Sequence, residues 1–214
     1  MIVTDTAEEK VLLSRYRCDI CHDRGDIYDE EKKTVVMCKC RKEKIKEDKL
    51  GEMFKDVKLY DIKPQNESQK TALNVFKLNP LGSYYIFGDI RTGKTHFSAG
   101  LFNYTIDNVT AKLNWYKEKE LKELFRESEL HNEKSIAKKV KYGDLKAIFI
   151  DDLGKAVTND FILQEMYCLI DEIYIRKRRL VITSVFPLEE LVNPYGASIV
   201  RRIEDIMDAI IKVK

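Results

Sequence analysis

Short runs of strand-forming apolar residues recur from residue 84 onward, at Tyr84–Phe87, Leu113–Tyr116, Ala147–Ile150, Leu180–Thr183 and Ala209–Val213. Between them the apolar positions repeat at helical spacing. Strand alternating with helix predicts an α/β domain with a five-stranded parallel sheet covered on both faces. Phosphate or substrate chemistry in such a sheet falls at the carboxyl ends of the strands, where Gly88, Asp151 and Thr183 lie. Lys117 to Tyr142 is rich in charge but carries Leu121, Leu124, Phe125 and Leu130 at helical spacing, which predicts a surface helix or helix pair with one apolar stripe. Cys168, inside an apolar helical stretch from Phe161, reads as a core thiol.

The amino-terminal part has a different character. Residues 1–50 are cysteine-bearing and strongly charged, and Arg41 to Lys58 reads as a largely helical connector into a second domain spanning residues 59–214. Lys and Arg number 38 against 36 Asp and Glu, a net charge of +2, so overall charge does not point to a polyanionic partner. Local runs matter more: Arg176-Lys177-Arg178-Arg179, Lys138-Lys139-Val140-Lys141 and the mixed but Lys-rich stretch Arg41 to Lys55, with Lys117, Lys119 and Lys122 as further candidate phosphate contacts. Each reads as a solvated face, with nucleic acid phosphates as the alternative. No secretory signal opens the chain and nothing approaches a membrane span, so a cytoplasmic, reducing location with no membrane partner is expected.

Gly88-Asp89-Ile90-Arg91-Thr92-Gly93-Lys94-Thr95 fits the phosphate-binding pattern G-x-x-x-x-G-K-[ST], between a predicted strand and a helix opening at His96. Successive backbone N–H groups of such a loop converge on nucleotide phosphates, and the following helix turns its positive dipole end toward them. Lys94 supplies a point charge to the β- and γ-phosphates. Thr95 and Asp151, the latter at the end of the apolar run Ile148-Phe149-Ile150, are the expected magnesium ligands. The pair of motifs predicts binding of ATP or GTP.

Four of the five cysteines form Cys18-x2-Cys21-x16-Cys38-x-Cys40. In a reducing compartment this favours a structural zinc site over disulfides, because four thiolates close a tetrahedron and leave no open position. His22 is an alternative fourth ligand. Gly25, Asp26 and Tyr28 with Thr34–Met37 predict a small hairpin between the ligand pairs, too short to fold without metal.

With these pieces placed, the sequence resembles the bacterial helicase loaders of the DnaC/DnaI type, AAA+ ATPases that also include the transposition helper IstB. The matching segments are Tyr85-Ile-Phe-Gly-Asp leading into Thr92-Gly-Lys-Thr-His96, Ile150-Asp-Asp-Leu-Gly154, Ile182-Thr-Ser184 and Ala197-Ser-Ile-Val-Arg-Arg-Ile203, with Cys-x-x-Cys-x-Asp-x-Gly over Cys18–Gly25. The resemblance implies an AAA+ P-loop ATPase preceded by a zinc module that meets a replicative hexameric DNA helicase. It also implies contact with single-stranded DNA and an ATP-dependent homo-oligomer. It casts Asp152 as the carboxylate that activates water, Thr183 and Ser184 as the polar sensor, and Arg202, with Arg201 as rival, as the finger reaching a neighbour's nucleotide. Three departures stand out: Arg91 where the family commonly has glycine, Val185 where Asn usually follows the sensor, and Ile173 where Arg is frequent. The chain also ends without a lid helix, which implies slow hydrolysis. An IstB-like helper of a DNA transposase and an ATP-switched adaptor with little turnover are the alternative readings.

Overall fold

A computed structural model of the chain describes residues 16–31, 33–109, 112–130, 135–155 and 159–214. Residues 1–15 of the expected amino-terminal module and His131 lie outside that set.

Strands β1 (Asp26–Asp29) and β2 (Thr34–Met37) form a two-stranded antiparallel ribbon in which Tyr28 faces Val35. Helix α1 (Lys39–Phe54) follows and breaks its path at Gly51, where φ is 67° and ψ 179°. Glycine suits that conformation because it has no Cβ to clash. The charged connector is not a free spacer. Leu50 is buried, Lys46 Nζ pairs with Asp107 at 2.7 Å, and Asn103 donates to the carbonyls of Phe54 and Val57 at 3.0 and 2.9 Å. A 3-10 turn, Leu59–Asp61, leads to α2 (Glu67–Leu78), whose start is capped by the Asn66 side chain accepting from Gln69 N–H.

The larger sheet contains β3 (Tyr84–Phe87), β4 (Leu113–Lys117), β5 (Ala147–Leu153), β6 (Arg179–Ser184) and β7 (Ala209–Lys212), all parallel, in the order β4-β5-β6-β3-β7. Helices α3 (Lys94–Asn108), α4 (Glu118–Leu130), α5 (Ile136–Lys141), α6 (Asp160–Ile175), α7 (Val192–Tyr195) and α8 (Ala197–Ile206) join them. Strand alternation sends Tyr85, Ile148, Ile150, Leu180 and Ile182 to one face, against α4, α5, α6 and α8. Tyr84, Ile86, Phe149 and Val181 go to the other, against α2 and α3. On that second face Trp115 stacks on Phe149 at 5.9 Å, and Phe102 meets Phe149 edge-on at 5.1 Å.

Two expectations are corrected in detail. Leu124 is 38% exposed while Leu121 and Phe125 are buried, so the stripe on α4 is narrower than its spacing implies. Cys168 is only half-buried, because the core stripe of α6 runs through Ile162, Met166, Leu169, Ile170 and Ile173. Among the described residues no helix is long and apolar enough to cross a membrane.

Candidate functional site

β3, which lies between β6 and the edge strand β7, runs into the phosphate-type loop at the carboxyl end of the sheet. Gly88 has φ 147°, and a Cβ there would stand 1.9 Å from the Val213 carbonyl oxygen. The end of β7 therefore dictates glycine at this position. Asp89, Ile90 and Arg91 are exposed on the outer side of the loop. Arg91 has φ 67°, the left-handed region that costs a non-glycine residue about 1–2 kcal/mol. Thr92 Oγ1 donates to Asp89 O at 2.9 Å, and Gly93, φ 86°, opens α3. Lys94 Nζ is buried over the loop and donates to the carbonyls of Gly88 and Asp89 at 2.9 and 2.6 Å. Burial holds its pKa below the usual lysine value, against the pull of the nearby Asp152 and Asp151 carboxylates. His96, at the first turn of α3, meets Phe54 edge-on, and burial lowers its pKa.

Thr95, Asp151, Asp152 and Thr183 meet at the mouth of this loop. Thr95 Oγ1 donates to Asp151 Oδ1 at 3.1 Å, and Thr183 Oγ1 donates to the same oxygen at 2.6 Å. Asp152 N–H in turn donates to Thr183 Oγ1 at 3.0 Å. Burial raises the Asp151 pKa, with the Thr183 and Thr95 hydroxyls pulling it back. Asp152 sits at φ 62° after a register shift between Ile150 and Leu153, so the second carboxylate leaves the strand and projects outward, where Lys155 Nζ pairs with it at 3.0 Å. A non-glycine residue held in that region is strained backbone of the kind that gathers at working sites. Ser184 Oγ donates to Leu153 O at 2.7 Å and secures the turn from the neighbouring strand. A hydroxyl and a carboxylate this close form a hard-oxygen pair suited to magnesium.

Two supports had no signal in the pattern. Gln69 Nε2, from α2, donates to Thr92 O at 3.2 Å and fixes the loop from behind. Glu118 is buried and accepts from Lys155 N–H at 2.9 Å, from Lys122 Nζ at 2.9 Å and from the Tyr195 hydroxyl. It anchors the turn just past Asp152. Lys122, a candidate nucleic-acid contact by sequence, is thereby withdrawn from solvent, and its charge is spent on Glu118. Arg202 is also engaged within its own chain: Nε lies 2.8 Å from Asp171 Oδ1 and the guanidinium covers the Tyr167 ring at 4.7 Å, while Arg201 is exposed.

At the other end of the chain, Cys18, Cys21, Cys38 and Cys40 bring their sulfurs within 4.8 Å of one another. The Cys18–Cys38 and Cys21–Cys40 separations are 3.8 and 3.4 Å. Four thiolates about 2.3 Å from a tetrahedral zinc lie about 3.8 Å apart, so the cluster fits that ion. Asp23 accepts from the N–H groups of Arg17 and Cys18 at 3.2 and 3.0 Å, and Gly25 N–H reaches Cys21 Sγ at 3.3 Å. The Asp23 bonds account for the Asp of the Cys-x-Asp-x-Gly segment, and a φ of 78° with Arg41 Cδ 2.9 Å from the place of a Cβ accounts for the Gly. Backbone N–H groups of Cys21 and Ile20 bring the Cys18 thiol down to about 7. His22 stays outside the cluster and stacks on Tyr16 at 4.8 Å.

No family model matches the chain. A crystal structure of the DnaC helicase loader superposes with a TM-score of 0.65 at 18% identity, covering 76% of this chain and 99% of that one. The fold is that of AAA+ ATPase domains. The replication initiator DnaA bound to AMPPCP and single-stranded DNA superposes at 0.63 with 14% identity, over 74% of this chain and 50% of that one. By sequence, the chromosomal replication initiator DnaA of Acholeplasma laidlawii is 30% identical over 112 residues, 51% of this chain. The match spans 25% of that curated relative's length. The five-stranded sheet places the loop after β3 and the Asp151–Asp152 pair within β5 together at its carboxyl edge.

Proposed function

We propose that this chain is a cytoplasmic, ATP-dependent helicase loader that binds a replicative hexameric DNA helicase and single-stranded DNA during replication initiation. The observation that carries the reading is the convergence of Lys94, Thr95, Asp151, Asp152 and Thr183 within a fold shared with a helicase loader and a replication initiator. Backbone N–H groups from Asp89 to Thr95 cradle the phosphates and Lys94 adds a positive charge to them. Thr95 and Asp151 would hold magnesium, which supplies neutralisation of phosphate charge. Asp152 takes the proton of the attacking water, and Thr183 keeps Asp152 and Asp151 in register. In a homo-oligomer an arginine from a neighbouring copy completes the site. Arg202 must leave Asp171 to serve, whereas Arg201 is exposed. Cys18, Cys21, Cys38 and Cys40 would hold zinc, which staples the ribbon that tethers the helicase. Mixing the protein with a hexameric replicative helicase should yield a complex on gel filtration that Cys21→Ser weakens. No complex in any nucleotide state would remove the tethering role.

A second reading, an ATP-switched adaptor with little turnover, draws support from the two in-chain ion pairs that occupy Asp152 and Arg202. Asp152→Asn separates them. A loader that needs hydrolysis should keep ATP affinity, lose about 100-fold or more in turnover and stall with its partner bound. An adaptor keeps its biological activity.

A further inference from the structure

The two basic runs, far apart in sequence, meet in the fold. Helix α5 carries Lys138, Lys139 and Lys141 at its end, and α6 runs out into Arg176, Lys177 and Arg178. The turn at Gly143 lies against Arg178, whose guanidinium is 3.7 Å from the place a Cβ would occupy. Backbone bonds continue the row: Arg179 N–H donates to Lys146 O at 3.2 Å, and Lys146 N–H donates to Lys112 O at 2.6 Å. Each of these segments enters a parallel strand, so the row follows the amino-terminal edge of the sheet. The phosphate loop is at the opposite edge, and the seven residues of β5 put roughly 20 Å between them.

Lys138, Lys139, Lys141, Lys146 and Lys177 are exposed along this edge. Opposing charge is sparse: Asp144 is exposed, and Glu172 is engaged with Arg176 at 3.4 Å. Arg179 is partly buried and its guanidinium is engaged within the fold, bonding the carbonyls of Gly82 and Pro80 and covering the Phe149 ring. Tyr142 and Tyr174, 64% and 45% exposed, stand at the ends of the same two helices.

The cap geometry is uneven in a telling way. The residue after the Tyr142 cap of α5 is Gly143, φ 78°, and the corresponding residue after the Arg176 cap of α6 is Lys177, φ 49°. Glycine is the favoured residue at a left-handed helix end, and lysine is disfavoured there. Beside it, Arg178 Nε is buried with no hydrogen-bond partner among the described residues.

We infer that this edge binds single-stranded nucleic acid, with phosphates along the row of cations and bases stacked on Tyr142 and Tyr174. The inference rests on the single-strand-binding part of the proposed function and gives that activity a surface separate from the nucleotide loop. An acidic protein segment would match the charge but offers nothing planar to the two tyrosines.

The test is fluorescence anisotropy of the full chain with a labelled oligothymidylate of about 20 nucleotides across a salt series. The Lys139→Gln/Lys141→Gln/Lys177→Gln variant should lower the log–log salt slope by about 2, at about 0.7 per lost phosphate contact, while binding ATP as the parent does. Tyr142→Ala should weaken oligonucleotide binding about 5-fold or more. No oligonucleotide binding by the parent would overturn single-strand binding itself. Binding by the parent with an unchanged slope in the triple variant would overturn only this surface. Displacement of the oligonucleotide by polyglutamate at equal charge concentration would assign the edge to an acidic protein and overturn the inference.

Discussion

Gly88 shows how one residue ties the phosphate-type loop to the last strand. A methyl group at that position would meet the Val213 carbonyl at 1.9 Å, with φ already in a region open to glycine. Gly88→Ala should lower stability by about 2 kcal/mol or more in urea unfolding, through overpacking and backbone strain together. A loss below about 0.5 kcal/mol, the usual range of a surface change, would contradict the close approach. The glycine itself was legible as part of the loop pattern, but its contact with β7 was not, since 125 positions separate the partners. Lys122 was read as a candidate phosphate contact, and its pairing with Glu118 was hidden for a related reason. An i,i+4 charge pair on a helix normally marks a solvated face, yet here Tyr195 and the Lys155 backbone close over it. Arg91 was legible as a departure from the glycine that the resemblance implies, and its φ of 67° lies in the region that glycine takes most easily.

At the scale of elements, the five strands were visible because short β-branched and aromatic runs sit between charged helices, and the observed boundaries lie within three residues of the expected ones. What failed was the prolongation of β5 through Asp151 and Asp152 to Leu153, since carboxylates carry no strand signal and Thr183 and Ser184 across the ladder sustain it. The docking of α1 on α3 was equally hidden, because it depends on Asn103 and Asp107 meeting groups about fifty to sixty residues away. The ribbon has two strands of four residues each and little buried area of its own. Such a hairpin is marginal in water without a clamp. A strong zinc chelator should therefore strip amide-exchange protection from β1 and β2 while β3, β5 and β6 keep theirs. Retained protection in the ribbon would mean that the cysteines hold nothing structural.

For the molecule as a whole, the sheet separates two working edges. The carboxyl edge gathers Lys94, Thr95, Asp151 and Asp152, the residues of the proposed nucleotide site, and the amino edge gathers cations and exposed tyrosines. The proposed loader role needs the first edge to bind ATP before anything else follows. The most direct measurement is calorimetric titration of Mg·ATP and Mg·GTP into the parent and Lys94→Ala proteins. The parent should bind at least one of them with a Kd of about 1–100 µM, and Lys94→Ala should weaken that by about 10-fold or more, the scale of a charge-assisted contact. No heat from either nucleotide, or equal affinity in the two proteins, would contradict the assignment of the Gly88–Thr95 loop as a nucleotide site.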